Sequence, residues 1–321
     1  MNIRLRCLLA SRRGAFWLGL SLLLAAAPGC SVKRMAINKL GDALSSGGST
    51  FASDDDPELV KAAVPFSLKL IESLLAESPH HAGLLLAACS GFTQYSYAFV
   101  QQEADEKEDS DLAAADQLRA RAKRLYLRAR GYGLRRLALA HPGLEEALRR
   151  EPKAAVRDCT IKEVSALYWT AASWGAAISV SKDDPALISD QLIVEALIDR
   201  ALALDEDFDA GAIHAFLITY EMARKGVAGE PAVRSRQHFD RAMELSQGKL
   251  ASPLVSLAEA VCVQQQNKTE FLSLLERALA INPDAAPQWR LQNLLAQRRA
   301  RWLRGRVDEL FLGADQSDRA K

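Results

Sequence analysis

The 321-residue sequence lacks β-branched stretches of alternating polarity, and its glycines (18) and prolines (11) are few. A strand-rich protein would need that alternation and frequent turn residues, so an all-β fold is excluded. Alanine, leucine, arginine and glutamate, which are among the strongest helix formers, dominate instead. The composition therefore predicts an all-α protein, and 49% apolar residues are enough to build a sizeable core.

An excess of basic charge is also missing. The whole chain has 41 basic and 40 acidic residues, and four of the basic residues are arginines within the first 29 positions. The remainder of the chain therefore has 37 basic and 40 acidic residues. Nucleic-acid-binding domains usually carry a strongly positive balance. The rest of the chain is close to neutral, so we expect no nucleic-acid partner.

Catalytic and cofactor motifs are absent from the sequence as well. Neither the zinc motif H-E-x-x-H nor the nucleophile elbow G-x-S-x-G occurs. The stretch GYG at 131–133 lacks the third glycine and the preceding strand of a dinucleotide site. Cys89, Cys159 and Cys262 form no C-x-x-C pair, and we interpret them as small buried apolar side chains. We predict a protein with no catalytic residue, no metal and no cofactor, and therefore not an enzyme.

The N-terminus has the pattern of an export signal. Basic residues at positions 4–13 precede the apolar stretch Ala15 to Ala27. That stretch is too short for a membrane span of about 20 residues. Positions 27–30 then read Ala-Pro-Gly-Cys and resemble a lipobox, in which the cysteine receives a diacylglyceryl group.

Cys30 is therefore the predicted lipid attachment site, and acyl chains on this cysteine would anchor the protein stably. Ordinary cleavage after Ala27, with Cys30 incidental, is the alternative. Ser31 follows in place of the aspartate that favours retention in the inner membrane, so an outer-membrane anchor facing the periplasm is favoured. The predicted organisation is a lipoprotein signal peptide at 1–29, a lipidated N-terminus and flexible tether at 30–53, a helical domain at 54–313 and a polar tail at 314–321.

Helical periodicity continues through the predicted domain. Three turns share one phrase, an alanine-leucine helix end followed by a helix breaker at positions 206, 247 and 283. The intervals of 41 and 36 residues approach the 34-residue period of tetratricopeptide (TPR) repeats. The sequence predicts degenerate TPR-like helical hairpins stacked into a compact superhelix with a cleft or pore; chance likeness among alanine-leucine helices is the alternative. The predicted helices are 57–77, 80–102, 111–138, 143–150, 161–181, 186–204, 208–225, 231–246, 252–265, 268–281 and 287–312.

Stacked hairpins bury their apolar faces against their neighbours and leave a concave face on which function usually lies. Tyr168, Trp169 and Trp174 stand among small residues, which either permit close helix packing or leave room for a ligand beside the rings. His214 follows an acidic turn and is either a core group or a ligand-binding group. We name these four as candidate ligand-binding residues, with structural packing as the alternative for each.

A basic run also requires an explanation. Eight basic residues lie between Arg119 and Arg136, and the acidic run Glu103 to Asp111 precedes them. The first interpretation is a solvated helix face with opposite charges nearby, and the alternative is a docking face for a partner.

Five phrases together carry a family resemblance, although each is weak alone. They resemble the TatT family, the TPR lipoproteins associated with tripartite ATP-independent periplasmic (TRAP) transporters, over about residues 30–313. The lipobox, with Ala27 and Pro28, departs from the usual pattern. The phrases are ALYWTAASWGAA at 166–177, SKDDP at 181–185, FDRAMELSQ at 239–247, ASPLVSLAEAV at 251–261 and LLAQRRARWL at 294–303.

This resemblance implies cryptic TPR hairpins, a homotrimer, and a pore or cleft through each protomer. It also implies a complex with the periplasmic substrate-binding subunit of a TRAP system. The ligand that it implies is a small organic acid, which is hydrophobic in some cases. The expected function is that of a periplasm-facing, non-catalytic accessory of solute uptake, held to the membrane by its N-terminal lipid alone. A scaffold lipoprotein for an envelope protein complex, with no small-molecule site, is the alternative.

Overall fold

The computed structural model describes residues 37–44 and 49–312, and within these ranges the chain is helical with no strand. The all-α prediction is confirmed. The predicted signal peptide, Cys30 and the polar tail lie outside the described residues. Residues 37–44 and Ser49–Ala52 are helical, although both fall in the range that the sequence assigned to a flexible tether.

The longer helices follow the predicted order. The second long helix, Ala82–Ser96, continues through a π-helical segment, Tyr97–Gln101, into Gln102–Lys107. The ninth, Ser252–Leu257, continues into a second π-helical segment, Ala258–Cys262. Short helical turns at Pro152–Ala155, Ile161–Glu163, Pro185–Ser189, Pro283–Ala285, Pro287–Trp289 and Val307–Leu310 lie between or after them. The longer helices are α1 Pro57–Glu77, α2 Ala82–Ser96, α3 Leu112–Ala138, α4 Leu144–Arg150, α5 Val164–Ser179, α6 Gln191–Leu204, α7 Phe208–Ala223, α8 Pro231–Leu245, α9 Ser252–Leu257, α10 Lys268–Ala280 and α11 Arg290–Gly305.

Aspartate followed by proline sets two helix starts. The Asp56 carboxylate accepts hydrogen bonds from the backbone N–H groups of Glu58 and Leu59, both at 3.0 Å. Asp184 caps the short helix that begins at Pro185 in the same way. These caps satisfy N–H groups that a helix leaves free, and proline fits the first helical position. The bounds of α1 therefore agree with the predicted 57–77.

The prediction of one helix over 186–204 is wrong, because the chain breaks at Asp190. The Trp174 indole N–H donates to the Asp190 carboxylate at 3.2 Å, and the Arg130 guanidinium lies 3.8 Å from it. Both partners come from other helices, so the break accompanies a tertiary contact that local periodicity does not encode. The predicted helix over 287–312 is likewise divided, at Arg306.

Helix α5 lies inside the core, between α3 and α6 and against α2. Its close approach to α3 depends on Gly133, since a Cβ there would lie 2.2 Å from Thr170 Oγ1 and 2.9 Å from Cys89 Sγ. Cys89, Cys159 and Cys262 are all buried and unpaired, as the sequence predicted. Burial raises the pKa of Cys89 to about 12, so this thiol stays protonated and unreactive.

The first and last long helices of the described part are in contact, which brings the two ends of the array together. Leu291 and Leu295 of α11 pack against the apolar cluster that α1 and α2 share. Arginines of α11 and the residue after it add ion pairs to the acidic segment that follows α2. These pairs are Arg298 with Glu106 at 2.7 Å, Arg299 with Asp105 at 3.0 Å and Arg306 with Asp109 at 2.9 Å.

Most of the basic run on α3 has partners within the chain. Lys123 pairs with Asp184 at 3.0 Å and Arg119 with Glu108 at 2.7 Å. For Arg119 and Lys123 these contacts favour the solvated face with opposite charges over a docking face. Four guanidiniums also lie over aromatic rings: Arg121 over Tyr95, Arg128 over Phe92, Arg130 over Trp174 and Arg135 over Tyr132.

Consecutive helices α5–α6, α7–α8 and α9–α10 pack against one another. Such neighbour packing is what a repeat array requires, while the TPR character of the hairpins and the pore stay predictions. Among the described helices none combines the length and the apolar character needed to cross a bilayer.

Candidate ligand-binding site

Trp174, one of the four predicted ligand-binding residues, lies in the core. Its side chain is 0% exposed, and the Arg130 guanidinium covers one ring face at 4.6 Å from the ring centroid. Its indole N–H is taken by Asp190. This geometry favours the packing alternative for Trp174, because no part of the ring faces solvent.

Tyr168 and Trp169 lie together on α5 and are partly accessible. Their ring centroids are 4.9 Å apart in an edge-on arrangement, and the ring of Phe208, at the start of α7, lies 5.4 Å from Tyr168. We call Tyr168, Trp169, Phe208 and the adjoining Asp209 the aromatic site. Tyr168 contacts both of the other rings, and all three are partly accessible, so they offer a surface against which the apolar part of a small molecule can pack.

Unusual backbone geometry holds Asp209 at this site. Asp209, Ala210 and Gly211 have φ angles of 46°, 53° and 91°, so three consecutive residues adopt the left-handed conformation. Non-glycine residues rarely adopt it, and strain of this kind collects at functional positions. Gly211 is required here also for space, since a Cβ would lie 3.2 Å from the Ala242 Cα.

The electrostatics of the aromatic site are those of a partly enclosed region. Asp209 is exposed by area, yet desolvation raises the pKa of its carboxyl. Desolvation, and secondarily the charge of Asp209, also raises the pKa of Tyr168 well above its usual value.

The structure places His214 apart from the aromatic site, facing α8. It is 6% exposed, and its Nδ1 lies 2.9 Å from the Nδ1 of His238. Its Nε2 is buried without a hydrogen bond, 3.9 Å from a Glu206 carboxylate oxygen. Desolvation, then the neighbouring His238, lowers the pKa of His214 to about 4. The pair therefore holds His214 neutral, which is the core role that the sequence left open for it.

We expect the fold to lose stability in mild acid through His214. A histidine whose pKa is depressed on folding stabilises the folded state fully above its unfolded pKa, near 6.5, and progressively less as pH falls towards 4. The free energy of unfolding, measured by urea titration, should therefore fall by about 2 kcal/mol more between pH 7.5 and 4.5 in the natural protein than in His214→Gln. The exposed His80→Gln is the control and should keep the natural pH dependence. Equal pH dependence in His214→Gln and the natural protein would show that His214 does not titrate as described.

Of the four candidate residues, the structure brings Tyr168 and Trp169 together, while Trp174 and His214 lie elsewhere. Sequence reasoning missed Phe208, Asp209 and His238. An aspartate two residues before a glycine is a usable signal for the left-handed turn, but His238 lies 24 residues beyond His214 and only the packing of α7 on α8 joins them. No group of three or more metal-ligating side chains forms in the part of the chain that the structure describes.

The molecule is thus an all-α helical array, and its partly accessible aromatic site is built from α5 and the start of α7. The family described as TRAP transporter T-component matches residues 53–311, and the chain belongs to this family. A relative from Treponema pallidum (strain Nichols), described as an uncharacterized protein, is 30% identical over 303 residues, which cover 88% of this chain and 94% of the relative. The family is one of transporter accessory components, so the protein belongs with TRAP transporter subunits of the cell envelope.

Proposed function

We propose that this protein is a periplasm-facing, non-catalytic lipoprotein that binds a small organic acid and docks the substrate-binding subunit of a TRAP transporter. Membership of the T-component family supports the link to that transporter. The aromatic site is the observation that carries ligand binding. Its rings are partly accessible and lie beside a left-handed turn that fixes their neighbour Asp209.

The chemistry of the aromatic site suits an acid with an apolar body. The rings of Tyr168 and Trp169 pack against the hydrocarbon part. Asp209, whose pKa is raised by desolvation, is the polar group that adjoins these rings.

Trp169→Ala tests the site, because this ring is accessible and its loss leaves the core intact. We expect the natural protein, purified under mild conditions, to carry a small molecule detectable by native mass spectrometry. Trp169→Ala should lose most of it and keep the far-ultraviolet circular dichroism of the natural protein. A natural protein with no bound small molecule would support the scaffold alternative, and full occupancy in Trp169→Ala would remove the aromatic site from the proposal.

The same proposal assigns the anchor and the assembly. Cys30 carries the lipid that holds the protein to the outer membrane, and the helical body assembles as a homotrimer. Leu59 and Phe66, exposed on one face of α1, form an apolar surface suited to contact with a second copy.

Docking of the substrate-binding subunit is assigned to an open groove beside the N-terminal half of α3. The groove has a volume of about 560 Å³. Lys107, Arg121 and Arg124 give it a basic character, and Leu118 and two alanines give it an apolar floor. A basic rim of this kind accelerates association with an acidic partner and makes binding sensitive to salt.

A further inference from the structure

Two residues of the aromatic site, Phe208 and Asp209, lie in the segment that leads from α6 into α7. We call residues 205–211 the α6–α7 turn. Four of the five residues at 205–209 are acidic, and the last three residues of the turn have the left-handed backbone described above. Like charges that lie close together repel, and a left-handed conformation persists only where its surroundings enforce it. The turn therefore needs support from outside to keep Phe208 against Tyr168.

Arg241 of α8 supplies support at the start of the turn. Its Nη2 donates to Oε1 of Glu206 at 2.7 Å and to Oδ1 of Asp207 at 2.9 Å. Its Nη1 donates to Oε2 of Glu244, three residues further along α8, at 2.8 Å. One guanidinium thus joins both acids that precede Phe208 to α8, and its charge offsets part of their repulsion.

Close packing against the same helix fixes the end of the turn. Gly211 lies directly on α8, because a Cβ there would come within 3.2 Å of the Cα of Ala242 and within 3.2 Å of the Cβ of Leu245. Phe208 therefore lies between two attachments to α8, the ion pairs of Arg241 before it and the contact of Gly211 after it. The position of the ring depends on both.

The accessibility of Arg241 separates it from the buried part of the contact between α7 and α8. Of its side chain 29% is accessible, and its partners in the turn are more exposed still. Ion pairs at such exposure add little to the stability of a whole domain. Buried contacts elsewhere hold α7 to α8 without it, namely His214 with His238 and Ile218 in one apolar cluster with Phe239. The effect of the guanidinium is therefore local to the turn.

We propose that Arg241 is a positioning residue for the aromatic site. It holds the α6–α7 turn on α8, and the turn holds the ring of Phe208 5.4 Å from that of Tyr168. Without this cation the acids of the turn repel one another and the left-handed residues relax. Phe208 then leaves Tyr168, and the surface for the apolar part of a ligand is lost. The effect of Arg241 on the ligand rests on the proposed function, whereas its effect on the turn rests on its own contacts.

Amide hydrogen exchange of the full-length mature chain tests the turn, and isothermal titration with octanoate, an acid with an apolar body, tests the ligand. Arg241→Met should raise exchange at 206–211 by about fivefold or more, because local order there depends on the ion pairs. Its thermal midpoint should stay within about 2 °C of that of the natural protein. Octanoate should bind about threefold more weakly, since only molecules with the turn in place bind it.

Arg236→Met is the matched control. Arg236 lies on the same helix with a similar accessible fraction, 35%, and pairs with Glu270 of α10 instead of with the turn. Its loss should leave exchange at 206–211 and octanoate binding unchanged. Arg241→Lys keeps the positive charge and should restore most of the protection at 206–211, which a role in packing alone would not give.

Unchanged exchange at 206–211 in Arg241→Met, or an equal rise in Arg236→Met, overturns the proposal. A rise spread evenly over α7 and α8 with a lower thermal midpoint overturns it as well, since that marks a purely structural role. Equal octanoate affinity in Arg241→Met and the natural protein would remove the link to the aromatic site. If the natural protein binds no octanoate, the proposed function is contradicted, and exchange at 206–211 still decides on the role of Arg241.

Discussion

Replacing Trp174 by alanine is expected to lower the free energy of unfolding by about 3–5 kcal/mol. The ring is 0% exposed within the largest apolar cluster, so its removal leaves a cavity that its helix neighbours cannot fill. The change also removes the indole N–H that donates to the Asp190 carboxylate and the ring face that the Arg130 guanidinium covers. Urea unfolding followed by circular dichroism measures the loss.

Trp169→Ala is the matched comparison, since the two tryptophans are five residues apart on one helix. Trp169 is only partly buried, so we expect its removal to cost about 1 kcal/mol and to affect ligand occupancy more than stability. Trp174→Phe keeps most of the packing but loses the indole N–H. Its free energy of unfolding should therefore lie between those of Trp174→Ala and Trp169→Ala. If Trp174→Ala were as stable as Trp169→Ala, the assignment of Trp174 to the core would be wrong.

The second large effect is expected at Arg299. Arg299→Met leaves Asp105 and Glu259 without their shared cation in a largely buried place. Removing one partner of a fully buried pair costs about 3–5 kcal/mol. Since Glu259 keeps 38% of its side chain accessible, we expect about 2–4 kcal/mol. The loss falls where α11 meets the segment after α2, so amide hydrogen exchange should rise in Gln102–Lys107 and in α11 before it rises in α5.

Arg301→Met provides the control, because Arg301 lies two residues away on α11 and is exposed. It should leave stability within about 0.5 kcal/mol of the natural value. Exchange that rises uniformly in Arg299→Met, with no preference for the two ends of the array, would contradict the role of Arg299 in holding them together.

Helix positions were predictable wherever local chemistry decides them. Asp56 and Asp184 announce helix starts through their own side-chain hydrogen bonds, and apolar spacing marks the helices that follow. Tyr168 and Trp169 are neighbours in sequence, so one helix necessarily holds them together. In each of these cases the interacting groups lie within about one helical turn of one another in the sequence, so the sequence alone shows that they meet.

Other features depend on groups that are far apart in the chain. The break at Asp190 accompanies its contact with Trp174 and Arg130, and Arg298 reaches Glu106 across 192 residues. The π-helical turn Tyr97–Gln101 directly precedes the acidic segment that the arginines of α11 contact, and no local sequence motif marks it. Small residues around Trp174 were compatible with close packing and with a pocket, and only the positions of α3 and α6 decide between them.

The central claim is that this T-component docks the substrate-binding subunit of a TRAP transporter. Surface plasmon resonance with the purified substrate-binding subunit of the same cell tests it most directly, using the natural protein, a Lys107→Glu/Arg124→Glu variant of the groove and Arg304→Glu as an exposed control. We predict saturable binding that weakens with added salt, falls at least tenfold in the double variant and is unchanged in Arg304→Glu. Absence of saturable binding at low ionic strength would contradict the claim, and natural affinity in the double variant would move the docking face away from α3.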